Sequence, residues 1–338
     1  MTTPMNPLRS STRPRYAQTL MAVSALTFVL HGAPAAAQAT DWPTRPVTFI
    51  NPFTAGSAVD VVARVIAQKM TLNLGQAVQI DVRTGASGNI GTEAAARAKA
   101  DGYTLLLGSP GTMAINPFLF AKLPYDAVKD FVPVTQLVSF PQVVIAYPKG
   151  TIRSIADLIR EARAKPDVLT HASSGQGSTA HLVMELIKAD AGIKMIHVGY
   201  RGGAPATQAV AAGDVAVAVE GIPSLMGQIK GGLVLALAVT SLKRSPLLPN
   251  VPALSETIPG FDASAWVILM APAGTMPALV ARVAAEARRA LDDPAVRQQL
   301  EAQGATAVGS TPAEALPFHQ AEMRKFKRAV ELSGAKAE

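Results

Sequence analysis

Ten short runs rich in apolar and β-branched residues alternate along this chain with stretches of helical periodicity, and that alternation restricts the fold more than any other feature. The strand candidates are Val47–Phe53, Val78–Arg83, Thr104–Gly108, Val132–Val138, Val143–Tyr147, Val168–His171, Met195–Val198, Val215–Val219, Leu233–Val239 and Trp266–Met270. Unbroken apolar runs of this length read as strands buried on both faces. Helix signals lie between them. Ser57-Ala58-Val59-Asp60 has the spacing of a helix cap, with Val62, Ile66 and Met70 on one face before Gly75. Ser154-Ile155-Ala156-Asp157 repeats that spacing; Ser178 can cap a helix that Gly192 stops, and Pro205 opens one that Gly213 stops. Pro277, Pro294 and Pro312 suit the first turns of three C-terminal helices, with Pro317 inside the last. Strand–helix alternation implies an α/β fold with mostly parallel sheets.

Length and composition narrow this further. The 338 residues, 49% hydrophobic and only 16% charged, can bury one or two cores and exclude a disordered chain. Ten strands fit two domains better than one. The absence of cysteine excludes thiolate nucleophiles, cysteine-ligated zinc, iron–sulfur clusters and disulfides. The net charge of +7 invites a nucleic-acid reading, but Arg9, Arg13 and Arg15 lie in an acid-free N-terminal segment. The other basic residues are dispersed, and the cluster Arg324, Lys325, Lys327 and Arg328 reads as a solvated helix face. No nucleic-acid partner is expected.

The first 39 residues read as an export signal. The three arginines form a positive region, Leu20–Leu30 an apolar core of 11 residues, and Ala35 to Ala39 a small-residue cleavage region. Eleven residues are too few to span a bilayer, which takes about 20. Cleavage is expected after Ala39, with Ala37 as the alternative, and the expected compartment is the periplasm.

Five strand ends run into short loops of glycine and hydroxyl residues followed by helix starts. They are Thr54-Ala55-Gly56-Ser57, Gly85–Gly91, Gly108–Thr112, Ser173–Ser178 and Tyr200–Gly203. Helix N-termini present unpaired N–H groups and a positive dipole end, and in open α/β sheets ligands bind beyond the carboxyl ends of strands. Such loops also occur simply as turns; five together point to an anion-accepting cleft. The expected ligand-binding residues are Phe53, Thr54, Gly56, Ser57, Gly88, Asn89, Ser109, Thr112, Ser174, Gly175, Ser178, Arg201, Gly202 and Glu220. Arg201 is the single cation in the five loops and can grip a carboxylate or steer anions from the rim; Glu220 can pair with it or accept a donor from the ligand.

Enzymatic signals are weak. No phosphate-binding G-x-x-x-x-G-K-[ST] run occurs, and Gly85–Gly91 does not match G-x-G-x-x-G. Ser178 and His181 read either as a nucleophile and base or as a helix cap beside a packed histidine, and no G-x-S-x-G elbow surrounds the serine. His171, His181 and His197 lack metal-ligand spacing. No cofactor or metal is expected.

Several blocks in series resemble the substrate-binding receptors of tripartite tricarboxylate transporters, the Bug-type receptors. They are Trp42-Pro43-Thr44-Arg45-Pro46-Val47, Asn51-Pro52-Phe53, Gly88-Asn89-Ile90-Gly91, Asp101-Gly102-Tyr103-Thr104-Leu105-Leu106, Ala114-Ile115-Asn116-Pro117 and Leu123-Pro124-Tyr125-Asp126. Ser174-Gly175-Gln176-Gly177-Ser178, Gly202-Gly203-Ala204-Pro205, Leu237-Ala238-Val239-Thr240 and Ala271-Pro272-Ala273-Gly274-Thr275 continue the series. The resemblance implies a two-domain, clam-like periplasmic-binding fold (type II) with a hinge and the ligand between domains. The expected division is residues 40–140 plus 265–338 against residues 141–264. It also implies a monomer that captures a small organic anion (a di- or tricarboxylate, aromatic acid or amino acid) and delivers it to membrane permease subunits. The loop after the first strand and the Gly-Asn-Ile-Gly loop are implied to hold a ligand carboxylate. Where the family usually carries Gly-Gly-Ser/Thr-Thr-Asp, this chain has Gly56-Ser57-Ala58-Val59-Asp60, a less polar wall suited to a carboxylate with an apolar or aromatic body. A ligand sensor on the same fold, or an exported Ser/His hydrolase, are the alternatives.

Overall fold

The structure, a computed structural model, describes residues 42–337. The expected export signal and its cleavage site lie outside the described residues. Among the described residues, eleven strands divide between two sheets. The six-stranded sheet has the order β11-β4-β10-β3-β1-β2 and is built from β1 (Val47–Asn51), β2 (Val78–Val82), β3 (Thr104–Gly108), β4 (Phe131–Phe140), β10 (Ala265–Pro272) and β11 (Thr306–Ala307). The five-stranded sheet has the order β7-β6-β8-β5-β9, from β5 (Gln142–Ala146), β6 (Thr170–Ser173), β7 (Ile196–Gly199), β8 (Val217–Gly221) and β9 (Leu235–Val239). With helices packed on each sheet, this is a two-domain α/β fold, and the sheets define its two lobes.

As expected, most strands of each sheet share one sense, β1 to β4 in the first and β6 to β9 in the second, but both sheets are mixed. β1 runs parallel to β2 and β3, and β6 parallel to β7 and β8, while β10 is antiparallel to β3 and β4, and β5 to β8 and β9. The chain's path explains the exceptions. β4 leaves the first lobe at Phe140, the chain changes sheets at Pro141, and β5 enters the second lobe from the side on which the parallel strands end. β10 likewise enters the first lobe from that side on its return. A strand arriving at the carboxyl ends of its neighbours must run against them.

Helices form where caps and periodicity place them. In α1 (Ala58–Leu74) the Ser57 hydroxyl accepts from the Asp60 N–H, and Val62, Ile66 and Met70 are buried. α2 (Asn89–Ala96) and α3 (Asn116–Leu119) follow β2 and β3, and Ser154 caps α4 (Ile155–Ala164). Ser178 caps α5 (Thr179–Ala191), and α6 (Gly203–Ala212) and α7 (Ile222–Lys230) follow β7 and β8. Proline occupies the first turn of α8 (Pro277–Leu291), α9 (Pro294–Ala302) and α10 (Pro312–Ser333), and Pro317 lies within α10. The α10 helix packs on β4 and also on α5 of the other lobe, where Arg328 pairs with Asp190 at 2.8 Å.

Several sequence boundaries shift. β6 begins at Thr170 rather than Val168, which is 60% exposed after a left-handed turn at Asp167. β8 extends through Gly221 because it pairs with β5 out to Gln142, so Glu220 lies within the strand rather than after it. The two-residue β11 has no counterpart among the expected strands.

Candidate ligand-binding site

The carboxyl ends of the parallel strands of both lobes meet at one cleft, which holds two adjoining cavities. One, about 580 Å³, is lined by Phe53, Thr54, Ser57, Gly85, Ser87 and Gly88 from the first lobe and by Ser174, Gly175, Gln176, Gly177 and Ser178 from the second. The other, about 460 Å³, is lined by Phe53, Gly56, Ala58, Val59, Ser109 and Phe140, by Gln142 and Trp266 at the strand crossings, and by Thr179, Gly221, Pro223 and Ser224. Phe53, Gly111 and Thr179 line both and mark their junction. Among the described residues, no charged side chain lines either cavity.

Four helix N-termini open onto this space, those of α1, α2, α5 and α7, whose cap or first-turn residues line one cavity or the other. The first-turn N–H groups of a helix have no partner within it, and their dipoles favour an anion. At α1 and α5 the capping hydroxyls take the N–H groups of Asp60 and His181. The preceding N–H groups, of Ala58 and Val59 and of Thr179 and Ala180, lack an intrahelical acceptor.

Each loop is held from behind. The Asp60 carboxylate, buried below the first loop, accepts from the Gly56 N–H at 3.0 Å, Asn51 Nδ2 at 3.1 Å and Arg64 Nε at 2.8 Å. Burial works to raise its pKa, but the hydrogen bonds from Arg64, Gly56 and Asn51 outweigh that and leave it lowered. Asn51 Oδ1 in turn accepts from the Phe53 N–H at 3.0 Å. In the second loop Ala86 and Ser87 have φ of 45° and 56°, values that side-chain-bearing residues rarely adopt. Asn116 Nδ2 donates to the Ser87 carbonyl at 3.1 Å and to Asn89 Oδ1 at 2.8 Å, and Tyr125 Oη lies 2.7 Å from the Thr112 carbonyl and 3.2 Å from Asn89 Oδ1. A Cβ at Gly88 would meet Thr112 Cγ2 at 2.8 Å, so a larger residue there would distort the loop itself as well as the space in front of it.

The Ser173–Ser178 loop rests on stacked imidazoles. The rings of His181 and His197 are 3.7 Å apart, and those of His171 and His197 5.0 Å. The Ser173 hydroxyl meets His197 Nε2 at 2.6 Å and accepts from the Gly175 N–H at 3.2 Å. His181 Nδ1 accepts from the Gly177 N–H at 3.1 Å, which puts its proton on Nε2, 3.5 Å from Glu185 Oε1. Burial acts to raise the Glu185 pKa, but bonds from His171, His181 and Lys188 leave its carboxyl well below the usual range.

Nine of the fourteen sequence candidates therefore line the cleft: Phe53, Thr54, Gly56, Ser57, Gly88, Ser109, Ser174, Gly175 and Ser178. The other five do not line it. Asn89 and Thr112 are buried and turn inward as described, with Thr112 Oγ1 accepting from the Ser109 N–H at 3.3 Å. Arg201 is exposed, Gly202 caps α6 beside it, and Glu220 lies behind Gly221 with its carboxylate against Gly203. No ion pair joins Arg201 to Glu220 among the described residues. The sequence reading missed Asn51, Asn116 and Tyr125, and also Thr240, whose backbone and hydroxyl bind both sides of the Gln142 backbone at the crossing. Asn116 was masked because residues 111–115 form a π-helical turn that swings it beneath the second loop.

A sequence profile described as tripartite tricarboxylate transporter family receptor matches residues 62–334. The chain belongs to that family. The receptor is 37% identical to protein BugT of Bordetella pertussis over 319 residues, 94% of this chain and 98% of that protein. Among solved structures it is similar to Rpa4515 of R. palustris with adipate, at 34% identity and a TM-score of 0.72, covering 88% of this chain and 99% of that one. It is also similar to MatC of Rhodopseudomonas palustris with bound malate, at 31% identity and a TM-score of 0.66, covering 86% of this chain and 100% of that one. The family and the fold expected from the sequence motifs are those of this receptor.

Proposed function

We propose that this receptor works in the periplasm, binds a small organic carboxylate in the cleft between its lobes and delivers it to the permease subunits of a tripartite tricarboxylate-type transporter. The observation that carries the reading is the convergence of four helix N-termini on a cleft whose described lining has no charged side chain. Such a site attracts one carboxylate through N–H and hydroxyl donors without a fixed counter-ion. The carboxylates bound to the two relatives support it.

The division of residues 40–140 with 265–338 against 141–264 is supported, over the described residues, by the changes of sheet at Pro141 and between Thr240 and Ala265. Closure about these crossings is a population shift: the ligand favours the closed form because only there do both lobes' donors reach it. Binding without turnover fits the Ser178–His181 geometry. The serine hydroxyl takes the His181 backbone N–H, while the ring nitrogens face Gly177 and Glu185, so the ring does not activate the hydroxyl. A thermal-shift screen with organic acids tests the reading. A ligand at 100 times its dissociation constant should stabilise the protein by about 2.7 kcal/mol; no shift with any carboxylate contradicts it.

A further inference from the structure

Three stacked imidazoles stand directly behind the ligand-facing loop of the second lobe, and none of them lines either cavity. They are His171 of β6, His181 of α5 and His197 of β7, with ring centroids 3.7 Å apart for His181 and His197, 5.0 Å for His171 and His197 and 6.1 Å for His171 and His181. The loop in front of them gives Ser174, Gly175, Gln176, Gly177 and Ser178 to the larger cavity.

Gly177 ties this stack to the cleft and to the other lobe. Its N–H donates to His181 Nδ1 at 3.1 Å. Its φ of 74° suits glycine, and a Cβ there would stand 2.9 Å from Leu119 Cδ2 of α3. The first lobe thus seats a side chain against the backbone of the residue that His181 holds. An imidazole nitrogen accepts only while it carries no proton. A protonated Nδ1 would set one N–H against another across that 3.1 Å, so Gly177 would lose its partner and turn away. His197 differs: its Nε2 meets the Ser173 hydroxyl at 2.6 Å, and a hydroxyl accepts as well as donates, so that contact survives protonation.

The charges around the stack match an added proton best at His181. Its Nε2 lies 3.5 Å from Glu185 Oε1, which also meets His171 Nε2 at 3.4 Å and Lys188 Nζ at 2.7 Å. His171 is fully buried, and among the described residues no carboxylate lies within ion-pair distance of His197. Burial, then His181 and His171, lower the His197 pKa from 6.5 to about 4, and burial, with Lys188 and His181 also acting, lowers that of His171. The titratable groups on other elements against α5 are engaged elsewhere. Glu220 of β8 faces Gly203; in α10, Arg328 pairs with Asp190, Glu322 with Trp266 and Lys325, and His319 with the Met113 carbonyl.

We infer that His181 is a positioning residue whose protonation unloads the receptor: with Nδ1 bare it holds Gly177 and the donor loop in place, and with Nδ1 protonated the loop shifts and the ligand leaves. This rests on the reading of the cleft as the ligand site. By linkage, ligand binding must then expel a proton from the stack, so affinity falls as pH falls, by at most about tenfold per pH unit for one proton.

Calorimetric titration tests this with the tightest-binding of adipate, malate, citrate, glutamate and benzoate, at about pH 7.5 and about pH 5. Each affinity is referred to the ionised ligand, and melting curves check that the protein is folded at both. The expected result is at least about threefold weaker binding at the lower pH. Binding there should also release protons beyond those the ligand itself gives up, read from titrations in two buffers of different ionisation enthalpy. His181→Asn, whose side-chain oxygen can accept from the Gly177 N–H at every pH, should flatten the fall. Affinity for the ionised ligand that is the same at both pH values, with no protein proton released, overturns this inference and leaves the carboxylate receptor standing. A fall of equal size in His181→Asn overturns the role of His181. Binding of none of the five acids overturns the carboxylate reading as well. The proton count on the parent protein decides whether binding expels a proton even if the variant does not fold.

Discussion

The carboxylate of Glu220 lies so close to Gly203 that a Cβ there would stand 2.7 Å from Oε1 and 2.8 Å from Oε2. The start of α6 thus faces an internal carboxylate. Oε1 has no hydrogen-bond partner, and burial raises the Glu220 pKa above its ordinary 4.5. An acid whose pKa is raised by folding gives stability that is present below the unfolded value and lost as pH rises through the folded one. Glu220→Gln should therefore raise Tm at pH 8, and the gain should shrink as pH falls toward 4.5. Melting curves of both proteins across that range check it; a gain independent of pH would show that charge is not the cause.

Arg201, exposed beside that helix start, lines neither cavity. Arg201→Ala should leave affinity at high salt unchanged and slow association at low salt, the signature of steering. Stopped-flow binding at two ionic strengths separates this from direct contact, for which a loss of about tenfold or more would persist in high salt.

Asn116 holds the second loop through the Ser87 carbonyl and Asn89 Oδ1. Asn116→Ala leaves the buried Asn89 Oδ1 with only the longer Tyr125 contact, and should cost about 1–3 kcal/mol of stability. Ligand affinity should fall with it, since Ser87 and Gly88 line the cleft. Denaturant unfolding and titration of the same variant read the two effects.

The histidines beneath the Ser173–Ser178 loop make stability depend on pH. Burial, then the neighbouring His181 and His171, lower the His197 pKa from 6.5 to about 4, and burial lowers that of His171 and, away from this loop, that of His319 in α10, whose Nε2 lies 3.0 Å from the Met113 carbonyl. The unfolded chain binds more protons than the folded one between these values, so stability should fall as pH drops from about 6.5 to 4. Below 4.5 the lowered pKa of Glu185 adds to the loss. His197→Asn should flatten the upper part of this slope in melting curves; an unchanged slope would assign it to the other histidines.

Much of this was legible in the sequence because local signals and tertiary structure agree. Ser57, Ser154 and Ser178 cap the helices they precede, and the apolar runs at Leu105–Leu107 and Val143–Ile145 are fully buried strands. The reversed sense of β5 and β10 was not legible, because it depends on where the chain changes lobes, at Pro141 and before Ala265, and no local pattern marks that direction. The inward turn of Asn89 was hidden for a similar reason: its partner Asn116 is 27 residues away and is brought to it by a π-helical turn. Glu220 and Arg201 read as a possible pair on adjoining segments, but the carboxylate faces the α6 backbone instead.

The central claim is that backbone N–H groups at the starts of α1 and α5 hold the ligand carboxylate. Ala58 and Thr179 occupy the first positions of these helices, where proline fits the backbone and removes only the N–H that no helical partner uses. Ser57 and Ser178 before them are extended, with ψ of 161° and 157°, as a residue preceding proline requires. The most direct measurement is calorimetric titration of Ala58→Pro and Thr179→Pro with benzoate and adipate, using Thr179→Ala as the control for the lost hydroxyl. The expected result is an unchanged Tm in both proline variants with affinity reduced about 10- to 150-fold, the loss of one charge-assisted hydrogen bond. Full affinity in both proline variants would contradict the claim.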